Sequence, residues 1–246
     1  MRDDRHGLDR SFGFDRVEPR ERQRRIRDVF RAVAPRYDLM NDLMSFGIHR
    51  LWKRRLVRNL PLADPVVDLA GGTGDVARLL AAAGAGAVLV IDPSEPMMRA
   101  GRPASDRCIR WLAAEGERLP LRDRSVGTLT VSFGLRNVTR LADALTEIRR
   151  VLKPGGCFAC LEFSRPAAWL RPFYDPYSFH VIPRLGRWVA REPAAYQYLV
   201  ESIRRFPDQA EFAAMLTAAG FDEVGWCDLS FGIACIHRAR RPGAPA

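Results

Sequence analysis

The hydrophobic positions of this chain follow two different rhythms. Between residues 26 and 60 apolar side chains recur three or four positions apart, as at Ile26 and Phe30, which is the spacing of one helix face. Pro35 and Gly47 interrupt this pattern, because proline cannot extend a helix and glycine favours its end. The segment therefore predicts two or three helices.

Beyond residue 65, short apolar runs alternate with helical stretches. The runs predict strands at 66–70, 87–92, 109–113, 128–132 and 157–163. Such alternation is typical of an open, mostly parallel, doubly wound α/β sheet. We therefore expect a Rossmann-like sheet with helices on both faces.

The last part of the chain changes character. Residues 141–152 are amphipathic, with Thr139 as a candidate N-cap, and the K-P-G-G that follows should end this helix. Residues 165–207 are rich in Arg, Tyr and Pro and predict interrupted helices. Two β-rich runs, 222–229 and 232–238, are separated by a short turn and predict an antiparallel hairpin that closes the sheet.

These patterns predict the organisation of the chain. Residues 1–25 are charged and poor in apolar side chains, so we expect a flexible basic arm. Residues 26–60 should form an N-terminal helical cap. Residues 61–240 should form the sheet domain, with a helical insert at about 165–207.

Composition and charge narrow the class of protein. The 246 residues are 47% hydrophobic and 28% charged, as in an ordinary globular protein. No run approaches the roughly 18 apolar residues of a membrane span, and the N-terminus has no apolar signal segment, so we expect a cytoplasmic protein. The formal charge of +10 is almost wholly arginine. Basic runs interleaved with aromatics are absent from the sequence, so we expect no nucleic-acid partner.

The cysteines suggest no special chemistry. There are five, an odd number, which favours reduced thiols over a disulfide framework. Cys157 and Cys160 form a C-x-x-C, but they lie within an apolar run that predicts a buried strand. No second Cys or His pair has ligand spacing nearby in the sequence, so we expect no metal site.

The candidate ligand site follows the first predicted strand, in D-L-A-G-G-T-G-D at 68–75. Gly72 and Gly74 let the backbone approach a ligand without Cβ collision. In doubly wound sheets, ligands bind beyond the carboxyl ends of the strands near the switch point. Asp92 ends the second strand and is placed to bind ribose hydroxyls.

A dinucleotide is the rival ligand, because Gly72, Gly74 and Ala77 also fit its glycine pattern. Two features favour a different ligand. Asp68 puts an anion at the strand end, where it would repel a diphosphate but suit a cationic sulfonium or ammonium group. The C-terminal antiparallel hairpin also suits a methyltransferase sheet better.

The h-h-D-h-x-x-G-x-G pattern, the aspartate ending the second strand and L-K-P-G-G together resemble the class I S-adenosylmethionine-dependent methyltransferases. This resemblance implies a seven-stranded sheet. The resemblance is more specific in four further segments, which look like the UbiE/MenG/Coq5 family: 33–54, 132–139, 174–186 and 198–209. These are the C-methyltransferases of ubiquinone and menaquinone biosynthesis.

The resemblance implies methyl transfer from S-adenosylmethionine to a ring carbon of a polyprenylated quinol. The acceptor would be a 2-methoxy-6-polyprenyl-1,4-benzoquinol, demethylmenaquinol or both. Family cofactor contacts fall on Thr73, Asp92 and Ser132. The family's Asn/Asp-Ala pair near the adenine reads Glu115-Gly116 here, with one extra methylene before the carboxylate.

A ring carbon becomes nucleophilic when the quinol hydroxyl loses or shares its proton, so the reaction calls for a base or for a cation beside the phenolate. Arg136 is the candidate cation and Asn137 would orient substrate or water. Arg136 could instead form a salt bridge with a helix-borne carboxylate. Tyr177 and His180, in the insert, are candidates for the proton transfers.

Three functions stay open on the sequence. A quinol C-methyltransferase leads; a methyltransferase of the same fold acting on another small aromatic metabolite and a non-catalytic binding protein are the alternatives. Because a polyprenyl tail is membrane-borne, we hypothesise peripheral docking of segments 26–60 and 165–205 on anionic lipid at the inner face of the membrane. The family resemblance also suggests a quinone-biosynthesis enzyme assembly or a homo-oligomer.

Overall fold

The computed structural model describes residues 8–34, 41–42, 45, 47–102, 107–177 and 193–243. Short strands β1 and β2 form an N-terminal hairpin, and the other strands form one sheet. The strands are β1 (Ser11–Phe12), β2 (Asp15–Arg16), β3 (Val66–Leu69), β4 (Val88–Ile91), β5 (Ile109–Leu112), β6 (Val126–Ser132), β7 (Leu152–Phe163), β8 (Asp222–Leu229) and β9 (Ala234–Arg240).

The main sheet has seven strands in the order β5-β4-β3-β6-β7-β9-β8. Strands β3 to β7 are parallel, whereas β9 is antiparallel to both β7 and β8. The chain leaves β3 towards β4 on one side and later returns to β6 on the other. The switch point therefore lies between β3 and β6, and the predicted doubly wound sheet with its C-terminal hairpin is confirmed.

Helices cover both faces of this sheet. They are α1 (Pro19–Val33), α2 (Ile48–Arg58), α3 (Asp75–Ala82), α4 (Glu95–Gly101), α5 (Leu141–Val151), α6 (Arg171–Pro176), α7 (Pro193–Arg205) and α8 (Gln209–Ala218). One core cluster contains the buried face of α5 and α8, and another contains that of α2 and α3. Both faces of β3 and β6 are buried, apart from Ser132 at the end of β6.

The N-terminal region differs from the expected flexible arm. Helix α1 already begins at Pro19, and the β1–β2 hairpin precedes it. Arg22, on α1, is 2% exposed and donates to the carbonyl oxygens of Ser11, Arg136 and Asn137. The guanidinium thus ties α1 and the hairpin to the turn after β6, a long-range contact that charge content alone does not reveal.

Two further details differ near α5 and α8. Thr139 does not cap α5; Arg140 occupies that position without a side-chain capping bond, and the Thr139 hydroxyl accepts from Arg22. Helix α8 was not predicted, although the sequence carries its signal. Asp208 and Glu211 form a capping box, in which each side chain accepts from the other's backbone N–H.

The remaining expectations concern the two cysteines, the helical insert and membrane-spanning helices. Cys157 and Cys160 are buried free thiols in β7, as their apolar surroundings suggested. Helices α6 and α7 fall in the expected insert, whereas residues 178–192 lie outside the described residues. Within the part of the chain that the structure describes, no helix is both long enough and apolar enough to cross a membrane.

Candidate active site

The glycine loop after β3 requires its glycines. Gly72 and Gly74 have φ angles of +53° and +76°, a region that favours glycine. A Cβ on Gly74 would approach the Trp111 ring to 2.5 Å, so no larger residue fits. The loop leads directly into α3 and lies beside the switch point, where doubly wound sheets bind ligands.

Asp92 follows β4 and braces this loop. Its carboxylate accepts from the backbone N–H of Gly72 at 2.9 Å and from that of Ser94 at 2.7 Å. Asp92 is 7% exposed, and burial raises the pKa of its carboxyl to about 6, against the lowering effect of these two bonds. Each carboxylate oxygen keeps lone-pair capacity for a ligand hydroxyl.

Asp68 lies beneath the glycine loop and is fully buried. The Thr130 hydroxyl donates to its Oδ1 at 2.8 Å, while Oδ2 has no hydrogen-bond partner among the described residues. Burial raises the pKa of Asp68 to about 7, although the bond from Thr130 opposes this. An unpaired buried carboxylate oxygen is costly, so it marks a place where a bound donor or cation would be stabilised.

A cavity opens at the carboxyl ends of the central strands, with an empty volume of about 880 Å³ that includes the part open to solvent. Six of the predicted site residues line it: Gly72, Asp92, Glu115, Gly116, Ser132 and Asn137. The hydroxyl of Ser132 is buried and has no hydrogen-bond partner in the described part of the chain, so it too is available to a ligand.

Helix α1 supplies a wall that sequence reasoning missed. Gln23, Ile26, Arg27 and Phe30, spaced along one face, line the cavity opposite the strand ends. Arg27 lies 4.0 Å from Glu115 across the cavity mouth. The amphipathic spacing from Pro19 onward, with proline at the first helical turn, was the signal that could have placed this helix.

Arg136 does not line the cavity, contrary to its predicted place facing the methyl acceptor. Its guanidinium donates to Glu162 Oε2 at 2.9 Å and to the Phe133 carbonyl at 2.6 Å, and both side chains of the pair are buried. It also lies over the rings of Phe133 and Phe163. The salt bridge weighed as an alternative is thus present, but its carboxylate comes from strand β7 and not from a helix.

Asn137, the next residue, does reach the cavity. The Tyr198 hydroxyl donates to Asn137 Oδ1 at 3.1 Å, and the Asn137 amide nitrogen lies 3.4 Å from the Phe133 carbonyl. Tyr198 is itself 4% exposed and stacks on Phe12 with ring centroids 4.4 Å apart. One amide N–H of Asn137 donates to Phe133 and the amide oxygen accepts from Tyr198, so the second N–H remains for a ligand.

The other predicted residues fall elsewhere. Thr73 and Gly74 belong to the glycine loop and Asp68 lies beneath it, but none of the three lines the cavity, and neither does Tyr177 at the end of α6. Burial raises the pKa of Tyr177. His180 lies outside the described residues, so its predicted role as a base stays a prediction.

The fold and the site together show to which class of protein the chain belongs. A doubly wound sheet closed by an antiparallel β9, a glycine loop after β3 and buried carboxylates at Asp68 and Asp92 form the ligand end of a class I S-adenosylmethionine-dependent methyltransferase. The residues fit that cofactor: Asp92 faces the cavity as a hydroxyl acceptor, and the buried, unpaired Ser132 hydroxyl lines the same cavity. The unpaired oxygen of Asp68, beneath the glycine loop, would be stabilised by a cation above it. The Asp68 carboxylate would repel a dinucleotide diphosphate, whereas an acid in the position of Asp92 also occurs in dinucleotide sites.

The chain belongs to the ubiE/COQ5 methyltransferase family, whose model matches residues 19–241. It is 63% identical over 242 residues to the ubiquinone/menaquinone biosynthesis C-methyltransferase UbiE of Rubrivivax gelatinosus, covering 96% of this chain and 95% of that protein. It is 48% identical to UbiE of Acidiphilium cryptum, covering 94% and 96%. The predicted family is confirmed, and with it C-methyl transfer from S-adenosylmethionine.

Solved structures at lower identity share the fold. A SAM-dependent methyltransferase from Thermotoga maritima matches 88% of this chain and 99% of its own, with a TM-score of 0.65 at 20% identity. The [4+2]-cyclase SpnF matches 88% and 95%, with a TM-score of 0.64 at 16% identity. Proteins of different printed activity therefore share this architecture, and the fold alone does not determine the reaction.

We predict that Asp68, beneath the glycine loop, acts on the sulfonium of S-adenosylmethionine, and the raised pKa of this carboxyl gives a test. A cation favours the ionised carboxylate, so affinity for S-adenosylmethionine should rise with pH up to about 7 and then level off. Affinity for S-adenosylhomocysteine, which lacks the positive sulfur, should not follow this change. Calorimetric titration should show the ratio of the two affinities rising by up to about tenfold per pH unit below the pKa.

Titration of Asp92 affects both ligands alike and cancels in that ratio. In Asp68→Asn the ratio should be independent of pH. A pH-dependent ratio that persists in this variant would assign the effect to another group.

Proposed function

We propose that this chain transfers the methyl group of S-adenosylmethionine to a ring carbon of a polyprenylated quinol. The acceptors are 2-methoxy-6-polyprenyl-1,4-benzoquinol and demethylmenaquinol. The observation that carries the proposal is the near full-length similarity to proteins named for this step in ubiquinone and menaquinone biosynthesis. A cavity with buried, unpaired polar atoms at the strand ends supports it.

We separate the residues that would contact the cofactor from those that support these contacts. Gly72, Asp92, Glu115, Gly116 and Ser132 would hold the cofactor, which supplies an activated methyl group on a positively charged sulfur. Thr73, Gly74 and Asp68 support this group from the loop and from beneath it. Because the positive charge disperses as the methyl moves, exclusion of water by Ile26 and Phe30 of α1 favours the reaction.

Asn137 is the side chain we propose for the acceptor's oxygen. Its second amide N–H would donate to a quinol oxygen and stabilise negative charge there, which raises the nucleophilicity of the neighbouring ring carbon. The Tyr198 hydroxyl fixes the amide in this orientation. Arg136 acts through the turn that it braces, as a positioning residue. Tyr177 and His180 stay candidates for the proton transfers.

Loss of the Tyr198 hydroxyl should slow methyl transfer without changing cofactor binding. In Tyr198→Phe the Asn137 oxygen loses its donor, so the amide is free to turn its oxygen towards the acceptor. We expect kcat to fall by roughly tenfold, corresponding to one neutral hydrogen bond, while the Kd for S-adenosylmethionine stays unchanged.

A double-mutant cycle distinguishes this role from packing. In an Asn137→Ala background, Tyr198→Phe should have no further effect on kcat. An equal loss in both backgrounds would mean that Tyr198 acts through its stacking on Phe12.

Cellular placement follows from the substrate. We propose a cytoplasmic protein with peripheral contact at the inner face of the membrane, where a polyprenylated quinol resides. Association with other enzymes of quinone synthesis, or as a homo-oligomer, belongs to the same proposal.

A deletion strain tests the proposed function. We expect the unmethylated benzoquinol precursor, demethylmenaquinone or both to accumulate, according to which quinone the host makes, and the intact gene to restore the methylated quinone. Normal quinones in the deletion strain would favour another small aromatic acceptor.

A further inference from the structure

A phenolic acceptor needs a positive charge near its oxygen, and the charge of Arg136 is already balanced. Its guanidinium pairs with Glu162, and both side chains are buried. Arg22 of α1 contacts the same turn after β6. It is 2% exposed, and no carboxylate of the described residues forms an ion pair with it. A buried arginine without a carboxylate partner therefore lies beside the acceptor end of the cavity.

The hydrogen bonds of Arg22 go to uncharged oxygens. Its Nη1 donates to the Asn137 carbonyl at 3.0 Å and to the Thr139 hydroxyl at 3.4 Å. Its Nη2 donates to the Arg136 carbonyl at 3.0 Å, and its Nε donates to the Ser11 carbonyl at 2.7 Å. Neutral dipoles offset the cost of burying a charge without cancelling that charge. Arg22 thus brings a net positive charge to the turn that carries Asn137.

Other titratable groups of the described residues act on Arg22 from three elements. Tyr198, Glu117 and Asp9 do so electrostatically, without forming an ion pair with it. The Glu117 carboxylate accepts from the backbone N–H of Thr139 at 2.9 Å. Burial lowers the pKa of the Arg22 guanidinium, but an arginine in a protein stays protonated. Its charge is therefore constant, and a titration at this end of the cavity belongs to another group.

Asn137 connects this charge to the cavity. It lines the cavity, its carbonyl accepts from Arg22, and its Oδ1 accepts from the Tyr198 hydroxyl. The N-terminal hairpin supports both contacts, because Phe12 stacks on the Tyr198 ring and Ser11 accepts from Arg22. Helix α1 and the hairpin therefore hold the charge and the Asn137 amide in one arrangement.

We propose that Arg22 is the cation that stabilises negative charge on the acceptor oxygen, acting through the Asn137 that it positions. This inference rests on the proposed function, because a phenolic acceptor develops that charge. The phenol first releases its proton to solvent. The ring carbon then bonds to the methyl carbon while the carbon–sulfur bond breaks and leaves its electron pair on sulfur, and the same ring carbon finally releases its own proton. The charge of Arg22 favours the first of these steps.

The pH dependence of methyl transfer at saturating S-adenosylmethionine tests this role. In the wild type, kcat should rise with pH as the bound phenol ionises and then level off. Arg22→Gln should move this rise to higher pH by about one unit, since a nearby charge in the protein interior shifts a pKa by about that much. Arg22→Lys keeps the charge, so its profile should stay close to that of the wild type. A merely structural role would lower kcat by one factor at every pH.

Arg24→Gln is the matched control. Arg24 lies two residues away on α1, its side chain is 68% exposed, and it pairs with Glu21. Solvent and salt screen an exposed charge, so the profile of this variant should equal that of the wild type. A shift as large as that of Arg22→Gln would assign the effect to net charge and overturn the proposal.

Ionisation of a bound nitrophenol gives a second readout that needs no turnover. With S-adenosylhomocysteine present, the absorbance of 4-nitrophenol reports its pKa in the complex. This pKa should lie below the solution value in the wild type and about one unit higher in Arg22→Gln than in the wild type. A bound pKa in the wild type at or above the solution value would overturn the proposal, even if Arg22→Gln did not fold.

This proposal and the proposed function fail in different ways. Methylation of a quinol with the same pH profile in the wild type and Arg22→Gln would refute the role of Arg22 alone. A nitrophenol pKa that depends on Arg22, in a protein that methylates no quinol, would refute the function alone.

Discussion

Replacing Arg136 by methionine is expected to lower the free energy of unfolding by about 3–5 kcal/mol, the cost of breaking a buried ion pair by removing one partner. Glu162 would remain in β7 without its cation. Burial already raises the pKa of this carboxyl, even though Arg136 opposes the shift. Urea unfolding, followed by circular dichroism, measures the loss.

The control for this prediction is Arg140→Met. Arg140 is only four residues away and also pairs with an acid, Asp143, but both side chains are over 40% exposed. Exposed pairs contribute little, so the change should stay within about 1 kcal/mol. Replacing Arg136 and Glu162 together by apolar residues should recover much of the stability lost in the single variant.

The Arg136→Met variant also distinguishes a structural role of Arg136 from a direct role on the methyl acceptor. If Arg136→Met kept its stability but lost turnover, the arginine would act on the acceptor, as its sequence position suggested. A stable and active variant would contradict both roles.

Replacing Asp92 by alanine is expected to weaken binding of S-adenosylmethionine by about 1.5–3 kcal/mol, or roughly 10- to 150-fold in Kd. Two effects combine. The carboxylate no longer accepts from ligand hydroxyls, and the backbone N–H groups of Gly72 and Ser94 lose their shared acceptor. The glycine loop is therefore less well ordered before the ligand arrives.

Isothermal titration calorimetry with matched variants measures this effect. Asp92→Asn keeps one acceptor oxygen and should lose less affinity than alanine. Glu95→Ala removes an acid of α4 whose side chain is 63% exposed, and it should bind the cofactor like the wild type. Unaltered affinity in Asp92→Ala would place the ribose elsewhere in the cavity.

The strands were predictable because they depend on local signals, whereas their order depends on pairing between distant segments. Strands β3, β4 and β6 are rich in β-branched residues and almost wholly buried, so their composition identified them without tertiary information. The glycine loop and Asp92 were predictable for the same reason, since a turn and a strand end fix their places.

Residues whose place depends on distant partners were harder to predict. Whether Arg136 points into a cavity or into the protein depends on Glu162, 26 residues later, and on the two rings that flank the guanidinium. Arg22 looked like one charge among many in a basic arm, yet two of its carbonyl partners, Arg136 and Asn137, lie more than 100 positions away. No local pattern carries that information.

Helix α8 is a different case, because its signal was present in the sequence. Asp208 and Glu211 have the spacing of a capping box and precede an apolar run. Prediction of the hairpin at 222–229 and 232–238 was sound in its topology, although β9 begins at Ala234.

Transfer of a labelled methyl group tests directly whether the protein methylates a ring carbon of a quinol. Purified protein is incubated with S-adenosylmethionine carrying a carbon-13 methyl and with the reduced forms of 2-methoxy-6-polyprenyl-1,4-benzoquinone and demethylmenaquinone, and the products are analysed by carbon-13 NMR and mass spectrometry. We expect the label as a methyl group on a ring carbon of at least one quinol, and much less labelled product with Asp92→Ala. Label on a quinol oxygen, or on neither quinol while S-adenosylmethionine still binds, would contradict it.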